Sequence, residues 1–289
     1  QTYWRYEKGK NIPGGGKLKA VLKASDRQIL TKSSGKMFRW DGNALVDMAT
    51  ELGPTSNQSI GKIEDFQFWI NRLGIFISNA NKPQLISNTI QRQIYNEAST
   101  GITGANFDTA NGVTHRYDYL LDVGTLTDDL VGEQIPRAII KYNYQKNEFM
   151  NYSFASEPTA WCSYKDTSGN QQLIFGDVNG QCYTFGSGNT DNGQPIETSL
   201  QMVVHAGFPF LNKEWGYIEV LTNPGCQAKV QIAIEDTFTA GTKKWKDIGS
   251  LVNGFNQFRF PTGSRGKLLF VRIYESSVST PFELYGINF

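Results

Sequence analysis

Turn signals interrupt this chain so often that few stretches could run as a helix of ordinary length. Gly176-Asp177 and Asn179-Gly180 flank Val178, and the residues that follow, Gln181-Cys182-Tyr183-Thr184-Phe185, alternate with the period of a strand. Ser33-Ser34-Gly35 leads in the same way into Met37-Phe38-Arg39-Trp40, which stops at Asp41-Gly42-Asn43. Gly, Asn, Asp and Ser favour the backbone conformations that reverse a chain, and the apolar runs between them have strand length. Aromatic residues make up 13% of the chain and glycines number 29, which suits short strands in tight turns better than a helical bundle. The predicted fold class is all-β.

From residue 17 to about 187 the strands recur in groups. Lys17 to Leu22, Ile29-Leu30 and Met37 to Trp40 form a first unit, with a turn at Ser25-Asp26-Arg27. Phe66 to Ile70 and Ile75 to Ile77 form a second around Asn71-Arg72-Leu73-Gly74. Tyr117 to Leu121, Ile139 to Tyr144 and Phe149 to Tyr152 form a third, with a long polar excursion inside it. Ala160 to Tyr164, Leu173 to Phe175 and the 181–185 run form a fourth. Units of on the order of 40 residues match the blades of a β-propeller, each a twisted sheet that buries both faces only by stacking on its neighbours. That requirement accounts for strands apolar on both sides, such as Phe66-Gln67-Phe68-Trp69-Ile70. Insertions at about 43–62 and 95–114 stretch two units. Residues 43–53 carry a weak pattern for one or two helical turns, and the glycine-rich 98–106 segment reads as an exposed, protruding loop.

After Pro195 the pattern changes. Thr198 to His205, Tyr217 to Thr222, Ala228 to Ile234, Trp245 to Ile248, Phe255 to Phe260, Leu268 to Tyr274 and Phe282 to Phe289 are candidate strands, separated by turns such as Asn223-Pro224-Gly225 and Pro261-Thr262-Gly263. Val230-Gln231-Ile232-Ala233-Ile234 alternates, as one face in a core and one outside require. The expected domains are an N-terminal arm at 1–16, β-propeller-like blades at 17–193 and a small antiparallel β-sandwich at 194–289. The final strand is expected to pair within a sheet. The first residues, Gln1 to Tyr6, lack an initiator Met and the charged start and apolar middle of a signal peptide, so a processed or trimmed polypeptide is expected.

Chemistry is harder to find. Lys and Arg total 28 against 27 Asp and Glu, a formal net charge of +1, which argues against a protein built to neutralise phosphates, so no direct nucleic-acid binding is expected. No apolar run approaches the roughly 18 residues of a membrane helix, so no membrane span is expected. Cys162, Cys182 and Cys226 lack zinc-site spacing and read as free thiols; a Cys162–Cys182 bridge would need neighbouring strands. Pro13-Gly14-Gly15-Gly16-Lys17 fails the phosphate-loop pattern because Leu18 follows the lysine. His115 and His205 stand apart, with no acidic residue at metal-ligand spacing. Asp177, Asn179 and Gly180 alternate as in a calcium loop, but no bidentate Glu follows, so a hairpin turn is the simpler reading. Asp118, Asp122, Asp128, Asp129 and Glu133 offer carboxylates that could serve glycoside hydrolysis if a pair lay about 5–10 Å apart, against a simpler reading as a solvated loop. Trp40, Trp69 and Trp161 read as packing between blades rather than as a glycan platform. No catalytic, cofactor-binding or metal residue is assigned, and no cofactor is expected.

One stretch carries a resemblance. Leu173 to Met202, "LIFGDVNGQCYTFGSGNTDNGQPIETSLQM", resembles the blade-to-sandwich junction of structural proteins of tailed bacteriophages. In that family a GD-x-x-G-x-x-Y hairpin, here Gly176 to Tyr183, closes the last blade. A linker with D-x-G-x-P-I, here Asp191 to Ile196, enters a strand that ends near an aromatic-Gly-Pro turn, here Ala206-Gly207-Phe208-Pro209. The segment from Lys213 to Ile218 and blade ends like Met37 to Gly42 are also similar. The resemblance implies a β-propeller followed by a β-sandwich in the tail, neck or baseplate of a virion assembled in the bacterial host cytoplasm. It implies a non-enzymatic adaptor whose partners are other virion proteins and copies of itself in a symmetric ring. Four blades would close alone, or further blades would lie upstream of Gln1 or in another chain. The 95–114 loop and the arm, with Trp4 and Tyr6, are the expected contacts. The alternatives are a glycan-binding module for host attachment and a propeller glycoside hydrolase using Asp118 and Asp122.

Overall fold

The computed structural model describes residues 17–24, 27–48, 50–94, 102, 104–127, 134–188, 190–191, 193–204, 207, 211–236, 243–252, 254–276 and 283–289. The arm at 1–16, Asp128, Asp129, Glu133, His205 and most of the 206–209 turn lie outside the described residues. The chain divides into two compact units, one of residues 1–126 and 135–185, the other of 127–134 and 186–289.

The first unit is a succession of small antiparallel sheets. Strands β1 (Leu18–Ala24), β2 (Arg27–Lys32), β3 (Met37–Trp40) and β4 (Leu45–Asp47) form the first meander. Strands β5 (Gly61–Ile63), β6 (Phe66–Asn71), β7 (Gly74–Ser78) and β8 (Gln84–Leu85) form the second. Strands β9 (Asn111–His115), β10 (Asp118–Thr127), β11 (Gln134–Asn143) and β12 (Glu148–Ser153) form the third. The fourth has three strands, β13 (Pro158–Lys165), β14 (Gln171–Asp177) and β15 (Cys182–Thr184). The order within each sheet follows the chain, as in propeller blades.

The sheets bury one another in sequence. Leu22, Ile29 and Met37 of the first meet Trp69 and Phe76 of the second. On the opposite face of β6, Phe68 and Ile70 join Tyr119, Leu121, Ile140 and Tyr142 of the third. Leu120 and Ile139, on the other side of that sheet, meet Leu173, Trp161 and Phe185. Alternate residues of one strand thus enter different cores, which is why the middle strands read as apolar throughout. The initial strands also neighbour one another: β9 runs beside β5 and β13. The Thr114 hydroxyl donates to the Lys62 carbonyl at 2.8 Å, and the Asn111 amide donates to the Thr159 carbonyl at 3.1 Å. At this approach only glycine fits. A Cβ on Gly112 would lie 2.5 Å from the Ser59 carbonyl oxygen, and one on Gly61 would lie 2.6 Å from the Thr114 methyl.

Several expectations need correction. The described residues of 43–53 make no helical turn: Leu45–Asp47 is β4, whose residues Val46 and Leu45 pair with Arg39 and Trp40. Residues 98–101 and 103 of the segment expected to be an exposed loop lie outside the described residues, and the rest of it is not simply exposed. Ile102 is buried, and the short helix α1 (Gln91–Ile94) and helix α2 (Gly104–Thr109) contribute Ile94 and Phe107 to the same core. The described residues of the polar excursion in the third unit are strand, because β10 and β11 continue to Thr127 and from Gln134; residues 128–133 lie outside the described residues. No bridge joins Cys162 and Cys182: both thiols are free, and β14 lies between their strands. Two strand spacings amount to roughly 9–10 Å, beyond the reach of a disulfide.

The second unit is a sandwich. Strands β16 (Thr190–Asp191) and β17 (Gln194–Pro195) make a hairpin ahead of it, and β19 (Lys213–Glu214) pairs with β24 (Arg265–Gly266). One main sheet has the order β18 (Thr198–Val204), β25 (Leu268–Glu275), β21 (Lys229–Glu235), β22 (Lys246–Ser250). The other has the order β23 (Phe255–Arg259), β20 (Tyr217–Thr222), β26 (Leu284–Asn288). All strands expected after Pro195 are present. Val230, Ile232, Leu269, Val271 and Ile273 of the first sheet pack with Ile218 and Val220 of the second, and Trp215 and Cys226 complete the core.

Replacing Gly112 with valine is expected to destabilise the first unit by about 2 kcal/mol, the usual cost of forcing side-chain atoms into a filled space. A Cβ on Gly216 meets nothing within 4 Å, so Gly216→Ala is the neutral control. Urea unfolding midpoints of the two variants check this, and equal midpoints would contradict the close approach of β9.

Candidate functional site

Because initial strands gather, their ends frame two depressions on the first unit. One, of about 200 Å³, is lined by Asn111 at the start of β9, Glu157 and Pro158 at the start of β13, Gln58 ahead of β5, and Asp122 and Gly124 of β10. Asp122 pairs in register with Asn111, so the β10 strand carries its carboxyl to this end. Gly124 sits at φ +73°, where its N–H can turn back to donate to Asp122 Oδ1 at 3.0 Å. A side chain at Gly124 would strike the Asn106 amide, which itself donates to the Val123 carbonyl at 2.9 Å.

Asp122 is buried, and that burial raises its pKa to about 6 against the opposing pull of the Gly124 N–H, with the Glu157 carboxylate adding to the rise. Glu157 itself is exposed. The pair places a carboxyl that keeps its proton up to about pH 6 beside a carboxyl open to solvent, the electrostatic asymmetry on which acid–base chemistry draws. The same features describe an aspartate closing its own turn, and about 200 Å³ is less than the roughly 300–1,000 Å³ of most small-molecule sites.

The second depression, of about 380 Å³, lies at the other ends of β5 and β9 and is lined by Lys62, Glu64, Thr114, Arg116, Tyr117 and Gln171. Asp118 lies near that end. It ion-pairs with Lys141 at 3.0 Å and accepts from the Asn143 amide at 2.7 Å. Asp118 and Asp122 therefore do not form the close carboxylate pair that the glycoside-hydrolase alternative would use. Four residues of extended strand separate them by roughly 13 Å, and the carboxylate that acts on Asp122 is Glu157, just ahead of β13. His115 is held below its ordinary pKa by burial and then by the Arg116 cation. Asp177 is a turn residue: its Oδ1 accepts from the N–H groups of Asn179 and Gln181, each at 2.9 Å. Among the described residues no group of three or more His, Cys, Asp or Glu could hold a metal ion.

The sequence tryptophans divide between packing and half-burial. Trp69 is fully buried and its indole donates to the Leu52 carbonyl at 2.7 Å. Trp161 is half-buried among Phe154, Phe175 and Phe185, with ring centroids 5.3–6.5 Å away. Trp40 is half-buried at the end of β3.

No family model matches the chain, and neither does any curated protein. Among solved structures it is similar to a glycoside hydrolase at a TM-score of 0.25 and 10% identity, covering 93% of this chain and 82% of that one. It is also similar to an exo-β-1,3-galactanase from Phanerochaete chrysosporium, solved with galactose, at a TM-score of 0.20 and 11% identity, covering 90% of this chain and 69% of that one. At these TM-scores neither likeness bears on what the chain does. Among the described residues no helix is long and apolar enough to cross a membrane.

Asp122 gives the fold a pH dependence. Its folded pKa stands above the unfolded value, so its contribution to stability is complete below about pH 4 and lost as pH rises through about 6. The loss is on the order of 3 kcal/mol. Asp122→Asn is expected to remove this step from a plot of urea midpoint against pH, and an unchanged step would contradict the assignment.

Proposed function

We propose that this chain is a non-enzymatic structural adaptor of a tailed-phage particle that docks its neighbours through sheet surfaces. The observation that carries the reading is the outer face of the β23-β20-β26 sheet. Phe255 is 63% exposed, Leu221 44% and Tyr217 42%. Leu221 lies directly opposite Phe255 on one side and Gly286 on the other, so the row is apolar and low. In the next row Glu219 accepts from the amides of Gln257 and Asn288, each at 2.9 Å, which ties that carboxylate into the sheet. A flat face with ordered polar groups and large exposed apolar side chains is the kind of surface that partners bury.

The phage setting is supported by the resemblance of the 173–202 stretch, which runs across the break between the units. In that setting the partners are other virion proteins and further copies of this chain in a ring, and the protein resides in the virion.

Burying Phe255 and Leu221 is worth about 1.5–3 kcal/mol each, so a lysine at both positions should weaken docking at least about tenfold. Mass spectrometry of purified particles is expected to find the wild-type chain in stoichiometric amounts and the Leu221→Lys, Phe255→Lys variant depleted, while circular dichroism shows both folded. Undiminished incorporation of the variant, or no wild-type chain in the particle, would overturn the reading.

Asp122 and Glu157 favour a second reading, a glycoside hydrolase with Asp122 as the acid. It requires polysaccharide turnover that Asp122→Asn abolishes; turnover that survives the substitution would remove Asp122 from any such role.

A further inference from the structure

The turn at Gly124 occupies only one oxygen of the Asp122 carboxyl. Oδ1 accepts from the Gly124 N–H, and among the described residues nothing donates to Oδ2. Asp122 is 8% exposed, and Oδ2 belongs to the part that remains accessible, opening into the cavity that the residue lines. Leaving a buried acceptor unpaired is costly, and more so when it carries charge. The carboxyl is thus fixed on one side and free to take a ligand on the other.

The walls of the cavity supply oxygen atoms and no positive charge. Glu157, exposed at the mouth, brings a second carboxylate from the connection ahead of β13. Asn111, opposite Asp122 in register, spends its amide N–H on the Thr159 carbonyl, which leaves its side-chain oxygen as the group it can offer a ligand. Gln58 adds a further amide at the rim. No Lys, Arg or His is among the described residues that line the cavity. Burial and the Glu157 charge both work against the ionised form of Asp122, and only the Gly124 N–H favours it. Two carboxylates that share a small space without a counter-charge call for a cation.

The dimensions and the donors select which cation. A cavity of about 200 Å³ is small for an organic molecule but holds a metal ion with several waters, each taking roughly 30 Å³. All the donors are oxygen, which suits calcium or magnesium rather than zinc or copper. They come from four separate places in the chain, an irregular arrangement that the flexible shell of calcium, with about six to eight ligands, tolerates better than octahedral magnesium. We propose that this cavity is a calcium site in which Asp122 and Glu157 supply the charge, and Asn111, Gln58 and water complete the shell. The ion ties the third sheet to the connection that enters the fourth. It also holds Asp122 ionised, so calcium binding and the acid role of the hydrolase reading exclude one another. The inference does not rest on the docking reading.

Isothermal titration of the full chain with calcium chloride, after treatment with EGTA, tests this. One ion per chain is expected to bind with a Kd of about 1 mM or tighter, and magnesium chloride at least about tenfold more weakly. Saturating calcium should raise the urea midpoint of the wild type. Glu157→Gln, at an exposed position, is expected to weaken calcium binding at least about tenfold while leaving the midpoint in EGTA unchanged. Asp122→Asn should abolish binding, with circular dichroism showing the variant folded. Glu64→Gln, in the second depression, should bind calcium as the wild type does. No calcium binding at about 10 mM, affinity indifferent to Glu157→Gln, or magnesium bound as tightly as calcium would each overturn the proposal.

Discussion

Tyr119, packed over Gly61 and Gly112, governs how the first unit is built. Its ring lies about 3 Å from where a Cβ on either glycine would stand, and its hydroxyl donates to the Ser59 carbonyl. Burial pushes the phenol well above its ordinary pKa, so it remains a neutral donor across the physiological range. The two glycines let β5 and β9 approach until Thr114 reaches the Lys62 carbonyl. With β9 held there, the third sheet offers Leu121 and Tyr142 to the second and Leu120 and Ile139 to the fourth. The two depressions are the ends of the same gathered strands, which is why Asp122 opens at one and Asp118 lies by the other.

The all-β class and most strands are legible in the sequence because two signals agree there. Runs such as Phe68-Trp69-Ile70 are apolar on both faces, and turns such as Asn71 to Gly74 punctuate them. The misses have a common physical cause. β9, Asn111-Gly112-Val113-Thr114-His115, is half-buried at every position because it lies among other strands of its kind rather than over a hydrocarbon core. It therefore lacks an apolar period. β4 is a short, mostly exposed edge strand, and nothing in Leu45-Val46-Asp47 separates it from a helical turn. Ile102 and Phe107 sit in a glycine-rich surrounding that reads as loop, though both enter the core.

The candidate site was half legible. Asp122 stands out as a carboxylate in an apolar strand, but Glu157 comes from the connection ahead of β13, and no spacing rule joins residues that only the stacking of sheets brings near. Local pattern reveals which residues point out of a sheet; it does not reveal what they meet there.

The central claim is that this protein works through the faces of its sheets. The most direct measurement is a density map of the intact particle at a resolution that places strands. The account expects the chain to repeat around a symmetry axis with the Leu221 and Phe255 face covered by a neighbour. A particle without the chain, or one in which that face is bare to solvent in every copy, would contradict it.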